Sequence, residues 1–333
     1  MPVNYITTWF YRESKEEASF YPQLGKKGHS ALVHSVYMQI QVPFFHTFRH
    51  CHPTARLVFF TNLAAAELPG YLQELFAELD VEVVCLPYAC RPPKDWYAAW
   101  QNQFYLFDIL RYMGRQMGPD DTLLVCDAAC LCRRNLDPLF DAARRDGSAL
   151  YEFITDPAAR INGLRLPEME QWYTGAFGTP PSRPLSYYGG EFIVLRADKV
   201  RAIAPLYEEV WRHNLDCRRH GRPTLNEEAH VMSVLAERLA LRNATANAYV
   251  KRMWTSPQFN NVVPGDEQLA VWHLPYEKKR GLYRLYRDFR RGRAHLADGQ
   301  AFWQRAGLLT GIPTIGLGKR LADRLVTLWM KLH

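Results

Sequence analysis

Apolar residues gather in short runs separated by stretches of helical periodicity along the first two-thirds of the chain. Residues 5–10, with Val3 and Asn4 leading in, read as a strand. Residues 30–50 are apolar and helix-like, and Pro43 should kink or divide that helix because it removes one backbone donor. The run 56–61 (RLVFFT) is densely β-forming, 71–79 is helical in pattern, and 81–86 (VEVVCL) is the next strand. Residues 95–113 read as a helix whose Trp96, Trp100, Phe104 and Phe107 make one core-facing stripe. Strand 122–126 (TLLVC) is wholly apolar and ends at Asp127. Residues 156–186 are rich in Pro and Gly and read as a long loop, a kind of segment that is usually functional or mobile. A strand at 192–195 follows, then helices at 197–213 and 226–240. This alternation predicts an α/β fold with a mostly parallel sheet covered on both faces. Ligands of such sheets sit beyond the carboxyl ends of the strands, where Asp127 stands.

Composition agrees with a packed chain: of 333 residues, 48% are hydrophobic and 13% aromatic, enough for a sizeable core. No run approaches the roughly 20 apolar residues that cross a bilayer. Residues 1–10 lack the basic region and cleavage site of a signal peptide, so a cytoplasmic protein is expected. The seven cysteines (51, 85, 90, 126, 130, 132 and 217) show no paired CxxC spacing. The cluster 126, 130 and 132 lies on strand-like sequence, whose alternating side chains rarely converge on one metal, so buried thiols are expected.

Charge changes the picture more. Residues 278–333 carry thirteen Lys and Arg against three Asp and Glu, a net of +10, so that the +7 of the whole chain leaves −3 for residues 1–277. The basicity belongs to the tail and points to an anionic partner or a solvated basic face. From about residue 315, Leu321, Leu325, Leu328 and Leu332 recur at helical spacing. Lys319, Arg320, Arg324 and Lys331 surround them, with Trp329 nearby and Arg287, Arg290, Arg291 and Arg293 upstream. Such a helix could lie on an anionic membrane or dock on the preceding domain. No zinc-finger, RRM or helix-turn-helix pattern accompanies it, so nucleic acid is not expected.

Three segments carry chemistry. The first is 123–140, LLVCDAACLCRRNLDPLF: an apolar strand, Asp127, a second short apolar run, and the phrase Leu136-Asp137-Pro138-Leu139-Phe140. The second is 186–200, SYYGGEFIVLRADKV, with Gly189-Gly190 before Glu191, followed by Asn226-Glu227-Glu228 at a helix start. The third is Val271-Trp272-His273-Leu274-Pro275 with Lys278 and Lys279. Read alone, Asp127 could be a turn aspartate, GGE a tight turn, and the Glu pair an acidic first turn favoured by the helix dipole.

Together they resemble GT-A glycosyltransferases, closest to the glycogenin and galactosyltransferase-like family with features of the blood-group (ABO-type) family. The resemblance spans about 3–282. It implies a GT-A, Rossmann-like domain with a nucleotide-binding half (1–150) and an acceptor half (151–282), followed by a basic helical tail (283–333). It implies a nucleotide-diphosphate sugar as donor, expected to be a UDP-sugar, and a glycan, lipid-linked or polysaccharide-precursor acceptor. Transfer with retention of configuration would then be expected, at the inner face of a membrane if the tail binds lipid. Thr7, Thr8 and Trp9 would hold the nucleotide end, Gly189 and Gly190 the donor sugar, and Lys278 and Lys279 the diphosphate. Asp127 and His273 would ligate Mn²⁺ or Mg²⁺, a charge that lets the diphosphate leave. Glu227 would face the positive charge developing at the anomeric carbon, as nucleophile or electrostatic support, and Glu191 would accept hydrogen bonds from sugar hydroxyls.

The sequence departs from the pattern at one place. Ala129 stands where the second aspartate of Asp-x-Asp belongs and cannot coordinate anything. Metal-independent transfer using basic residues such as Lys278, Lys279 and Arg252, a disabled GT-A-like protein that only binds nucleotide sugar or glycan, and an inactivating Asp-to-Ala change all remain open. A nucleotidyltransferase would need a Gly-rich loop after the first strand, which TTWFYRESKEE lacks.

Overall fold

A computed structural model describes residues 2–17, 19–97, 99–154, 156–241, 245–296 and 299–332, with backbone alone at 245 and 329–332. The chain opens with strand β1 (Asn4–Phe10) and a small hairpin, β2 (Phe20–Tyr21) and β3 (Lys26–Lys27). Helix α1 (Ala31–Cys51) follows, capped by the Ser30 side chain accepting the Val33 N–H, as small hydroxyl residues do at helix starts. It runs unbroken through Pro43, so the expected division does not occur. Its buried residues include Phe44, Phe45 and Phe48 on the side facing the sheet, and burying each ring is worth about 1.5–3 kcal/mol. Then come β4 (Arg56–Thr61), α2 (Gly70–Glu78) and β5 (Val81–Cys85).

Helix α3 (Tyr105–Gln116) begins later than its aromatic stripe suggests. Asp95 and Trp100 adopt left-handed backbone angles (φ 62° and 50°), and a helix cannot continue through residues held that way. Strand β6 (Thr122–Cys126) leads through a tight turn into β7 (Cys130–Cys132), then α4 (Asp137–Asp146) and β8 (Ser148–Ile154). The stretch 156–186 is not a structureless loop, for it contains α5 (Leu166–Phe177). The Pro167 and Gly178 that suggested a loop are this helix's start and stop signals: proline in the first turn and a left-handed glycine at the end. The chain completes itself with β9 (Tyr187–Arg196), α6 (Ala197–Arg219), α7 (Glu228–Arg238), β10 (Val250–Arg252), β11 (Val271–His273), α8 (Gly281–Arg290), α9 (Gly299–Thr310) and α10 (Leu317–Leu332).

The central sheet has the order β5-β4-β1-β6-β9-β8. Neighbours from β5 to β6 are parallel, while β9 pairs antiparallel with both β6 and β8 and so runs against the rest. Alternate side chains feed two cores, as the period of a strand demands. Tyr5, Val58, Leu123 and Ile193 pack under α3, α6 and α7, and Ile6, Leu57, Leu124 and Phe192 under α1, α2 and α4. This is the doubly covered, mostly parallel α/β sheet expected from the sequence. Because β8 and β9 join it, the stretches either side of residue 150 share one sheet. A second sheet, β10-β11-β7, lies beyond the β6 end.

Among the described residues no helix is long and apolar enough to cross a membrane. Helix α10 docks through charge rather than leucines. Lys319, 1% exposed, donates to Glu277 at 2.9 Å and to Asp323 at 2.5 Å, and Arg284 reaches Asp323 at 2.9 Å. Leu317, Leu321, Leu325 and Leu328 are left 57–83% exposed. The side chains of Trp329, Lys331 and Leu332 lie outside the described residues.

Candidate functional site

The ends of β6 and β9 meet by register. Cys126 pairs with Phe192, and the Asp127 N–H donates to the Glu191 carbonyl at 3.0 Å, so both acids stand at one edge of the sheet. The turn after β6 fixes Asp127 further: its Oδ1 accepts the Ala129 N–H at 2.6 Å. In the second sheet Arg252 lies beside His273, and His273 beside Cys130. Two strands of non-local sequence therefore deliver Arg252 and His273 next to the Asp127 turn.

One cavity gathers these groups, lined by Trp9, Tyr37, Asp127, Asn162, Gly190, Glu191, Glu227, Glu228, Arg252, His273 and Lys278 among others. At the β6 end, Lys278 is 4% exposed and donates to Asp127 Oδ2 at 2.9 Å and to the Tyr37 hydroxyl at 3.1 Å. Its ammonium also lies 4.6 Å from the centre of the Tyr37 ring. Burial alone would raise the Asp127 carboxyl, but the Lys278 ammonium outweighs it and holds the pKa down to about 2. Burial would likewise lower Lys278, and Asp127 drives it up instead. His273 is fully buried and its pKa falls to about 4, chiefly by desolvation, so the imidazole is neutral at pH 7. Neither of its ring nitrogens has a hydrogen-bond partner.

Across the cavity the carboxylates are treated differently. Glu191 is bound by the Arg252 guanidinium, which donates from Nε at 2.6 Å and from Nη2 and lies over the Phe153 ring. Glu227 occupies the residue before α7 and accepts from the Asn162 amide, with His230 Nε2 at 3.5 Å. Desolvation lifts its pKa to about 7, against the Asn162 hydrogen bond and the Arg252 charge. Glu228 is 8% exposed, its Oε2 has no partner, and burial followed by the charges of Glu227 and Glu191 drives its pKa well above the usual range.

The two glycines do not form a turn; they lie inside β9. A Cβ at Gly190 would meet Glu228 Cγ at 2.5 Å, and one at Gly189 would meet Glu191 Oε2 at 1.9 Å. Their role here is to make room for two carboxylates. Gly190 lines the cavity and Gly189 does not.

The other expected nucleotide contacts divide in the same way. Trp9 lines the cavity. Thr7 and Thr8 do not: both are fully buried in the central strand of the sheet, where the Thr7 hydroxyl donates to the Leu124 carbonyl at 3.0 Å. Lys279 also lies off the cavity lining, its Nζ 3.5 Å from the Leu24 carbonyl and its pKa lowered to about 8 by burial. Sequence reasoning missed Tyr37 and Asn162. Nothing in the apolar α1 pattern marks Tyr37, and Asn162 sits in a segment read only as loop.

No protein-family model matches the chain, and no curated protein matches it. Among solved structures it is similar to the apo form of mouse xyloside xylosyltransferase 1, at 12% identity over 82% of this chain and 98% of that one, with a TM-score of 0.47. It is also similar to the galactosyltransferase LgtC in complex with donor and acceptor sugar analogs, at 15% identity over 95% and 99% of the two chains, with a TM-score of 0.39. Likenesses this loose carry no weight for function, which rests on the cavity itself.

The residues present do not fit a divalent cation. Among the described residues no group of three or more His, Cys, Asp or Glu is placed to hold a metal. Both Asp127 oxygens are already engaged, one by a cation. The methyl group of Ala129 is fully buried, and its carbonyl accepts the Leu274 N–H at 2.9 Å. The expected Asp127–His273 metal pair is therefore not assembled as a ligand set. Cys126, Cys130 and Cys132 are buried free thiols in β6 and β7.

Proposed function

We propose that the cavity transfers a glycosyl group from a nucleotide-diphosphate sugar, a UDP-sugar in the first instance, to a glycan or lipid-linked hydroxyl acceptor, with retention of configuration. One observation carries the reading. A single cavity holds the buried Lys278 ammonium on Asp127 at the end of β6 and, across from it, two buried acids at the start of α7, Glu227 and Glu228, with Arg252 held by Glu191 on their side. Glycosyl transfer needs that polarity. The electron pair of the anomeric carbon–oxygen bond leaves with the diphosphate, which gains negative charge, while the sugar carbon gains positive charge. The acceptor hydroxyl oxygen forms the new bond, and its proton passes to the departing phosphate oxygen.

In this reading the Lys278 end holds the diphosphate, Trp9 lies along the nucleotide, and Glu227 faces the anomeric carbon as nucleophile or electrostatic support. Glu191 holds Arg252 in place and Gly190 admits Glu228. The GT-A-like domain is residues 1–282, and 283–333 form the tail. The exposed leucines of α10, flanked by the exposed Arg320 and Arg324, favour attachment of that tail to an anionic membrane surface.

Calorimetric titration of a nucleotide-sugar panel into the parent chain and Glu227→Gln tests the reading. One donor should bind both forms with similar affinity, and only the parent should transfer sugar. Full transfer by Glu227→Gln would remove Glu227 from the role, and no binding of any donor would remove the function.

A further inference from the structure

We propose that Lys278 takes the place of a divalent cation, so that the cavity binds and releases its nucleotide diphosphate without metal. The inference rests on the donor reading above and says how that site neutralises charge. Lys278 is immobilised by three contacts: Asp127 Oδ2 at 2.9 Å, the Tyr37 hydroxyl at 3.1 Å, and the Tyr37 ring at 4.6 Å. Burial to 4% exposure removes the water that would otherwise compete. Such an ammonium is a prearranged point charge at the cavity wall, and it needs no rearrangement when a phosphate arrives.

A metal in the same place is disfavoured by what surrounds it. A divalent ion on an Asp127 oxygen would sit at about 2.0–2.6 Å from it. On Oδ2 that position would bring it within roughly 5 Å of the Lys278 ammonium, where two like charges in a poorly solvated cavity repel strongly. Oδ1 is committed to the Ala129 N–H at 2.6 Å. The residue two after Asp127, where a second carboxylate would have to stand, is a fully buried alanine pinned between β7 and β11. The neighbouring segment repeats the theme. Lys278 follows Glu277, which is itself fully buried and paired with Lys319 of α10 at 2.9 Å. The backbone carrying the ammonium is thus anchored from the tail side as well. Arg252, held by Glu191, supplies a second cation on the same cavity, and His273, whose ring nitrogens have no partner, offers a hydrogen bond to a phosphate oxygen.

The test titrates UDP, GDP and ADP into the intact chain, in EDTA and then in Mn²⁺, for the parent, Lys278→Met and Lys278→Arg. We expect one nucleotide to bind the parent equally with chelator and with Mn²⁺. Lys278→Met should weaken it about 100-fold in both buffers, the scale of losing a charge-assisted contact, and Lys278→Arg should recover part. If Lys278→Met does not fold, Asp127→Asn/Lys278→Met, which leaves no unpaired charge, carries the comparison. Binding by the parent only in Mn²⁺ would overturn the proposal and leave the transferase reading standing. Unchanged binding by Lys278→Met would overturn it as well. Absence of any nucleotide binding in both buffers would overturn both.

Discussion

The two ends of the cavity handle buried carboxylates in opposite ways. At the end of β6, Asp127 has a cation on one oxygen and a backbone N–H on the other, and its pKa falls to about 2. At the start of α7, Glu227 accepts from an amide and feels the Arg252 charge, which is itself paired with Glu191, yet desolvation lifts its pKa to about 7, while Glu228 has one oxygen without a partner. The first arrangement is closed on itself and contributes to stability. The second is costly in the folded state, because desolvated carboxylates lack compensation. An acid held in that way stores the capacity to meet a further positive charge, which in the proposed reaction the glycosyl cation would supply.

Breaking the matched end should have the largest effect on stability. Lys278→Met leaves Asp127 without its cation and should cost about 3–5 kcal/mol, the usual penalty for stranding one member of a buried pair. Denaturant unfolding at pH 7 measures it, and Asp127→Asn in the same background should return most of the loss. Little change in Lys278→Met would mean that the pair is hydrated and the contrast between the two ends unreal.

Removing charge at the unmatched end should do the reverse. Glu227→Gln should lower turnover about 10²–10³-fold, as losing one preorganised electrostatic group does, while unfolding at pH 8 shows a variant at least as stable as the parent. The pH dependence sharpens this. A folded pKa of about 7 against an ordinary 4.5 means that the folded state retains the proton longer. Glu227 therefore makes stability fall as pH rises from 4.5 to 7, and Glu227→Gln should flatten that slope. At the Asp127 end the sign inverts: the depressed pKa gives stability that is present above 3.8 and lost as pH falls towards 2. Turnover that needs the Glu227 carboxylate should rise with pH and level off above about 7.

The smallest change in stability is expected on the tail. Leu321→Ser/Leu325→Ser should alter unfolding by about 0.5 kcal/mol or less, since both side chains already face solvent. Sedimentation with vesicles rich in phosphatidylserine should nonetheless lose the double variant. Equal sedimentation of both forms would leave the basic residues, and not the leucines, as the lipid contact.

Much of this contrast could be read in the sequence at one end and little at the other. Strand 122–126 with Asp127 at its tip was legible because a buried parallel strand is a continuous apolar run. Glu227 was legible as an acid at a helix start. What linear pattern does not carry is which partner meets which acid. Lys278 pairs with an aspartate 151 positions away, and Asn162 with a glutamate 65 positions away. The glycines before Glu191 suggested a backbone approach to ligand, whereas their missing Cβ atoms make space for carboxylates. Pro167 and Gly178 hid a helix because the same residues that punctuate loops also begin and end helices. The leucine stripe of α10 was visible, but that its polar side faces inward depends on Glu277 and Asp323 meeting Lys319.

The most direct test of the account is a crystal structure of the intact chain with a nucleoside diphosphate, grown in chelator. The account predicts the phosphates within hydrogen-bond distance of Lys278 Nζ and directed away from Glu227 and Glu228. A diphosphate seated beside the Glu227–Glu228 pair, or bound away from this cavity, would contradict it.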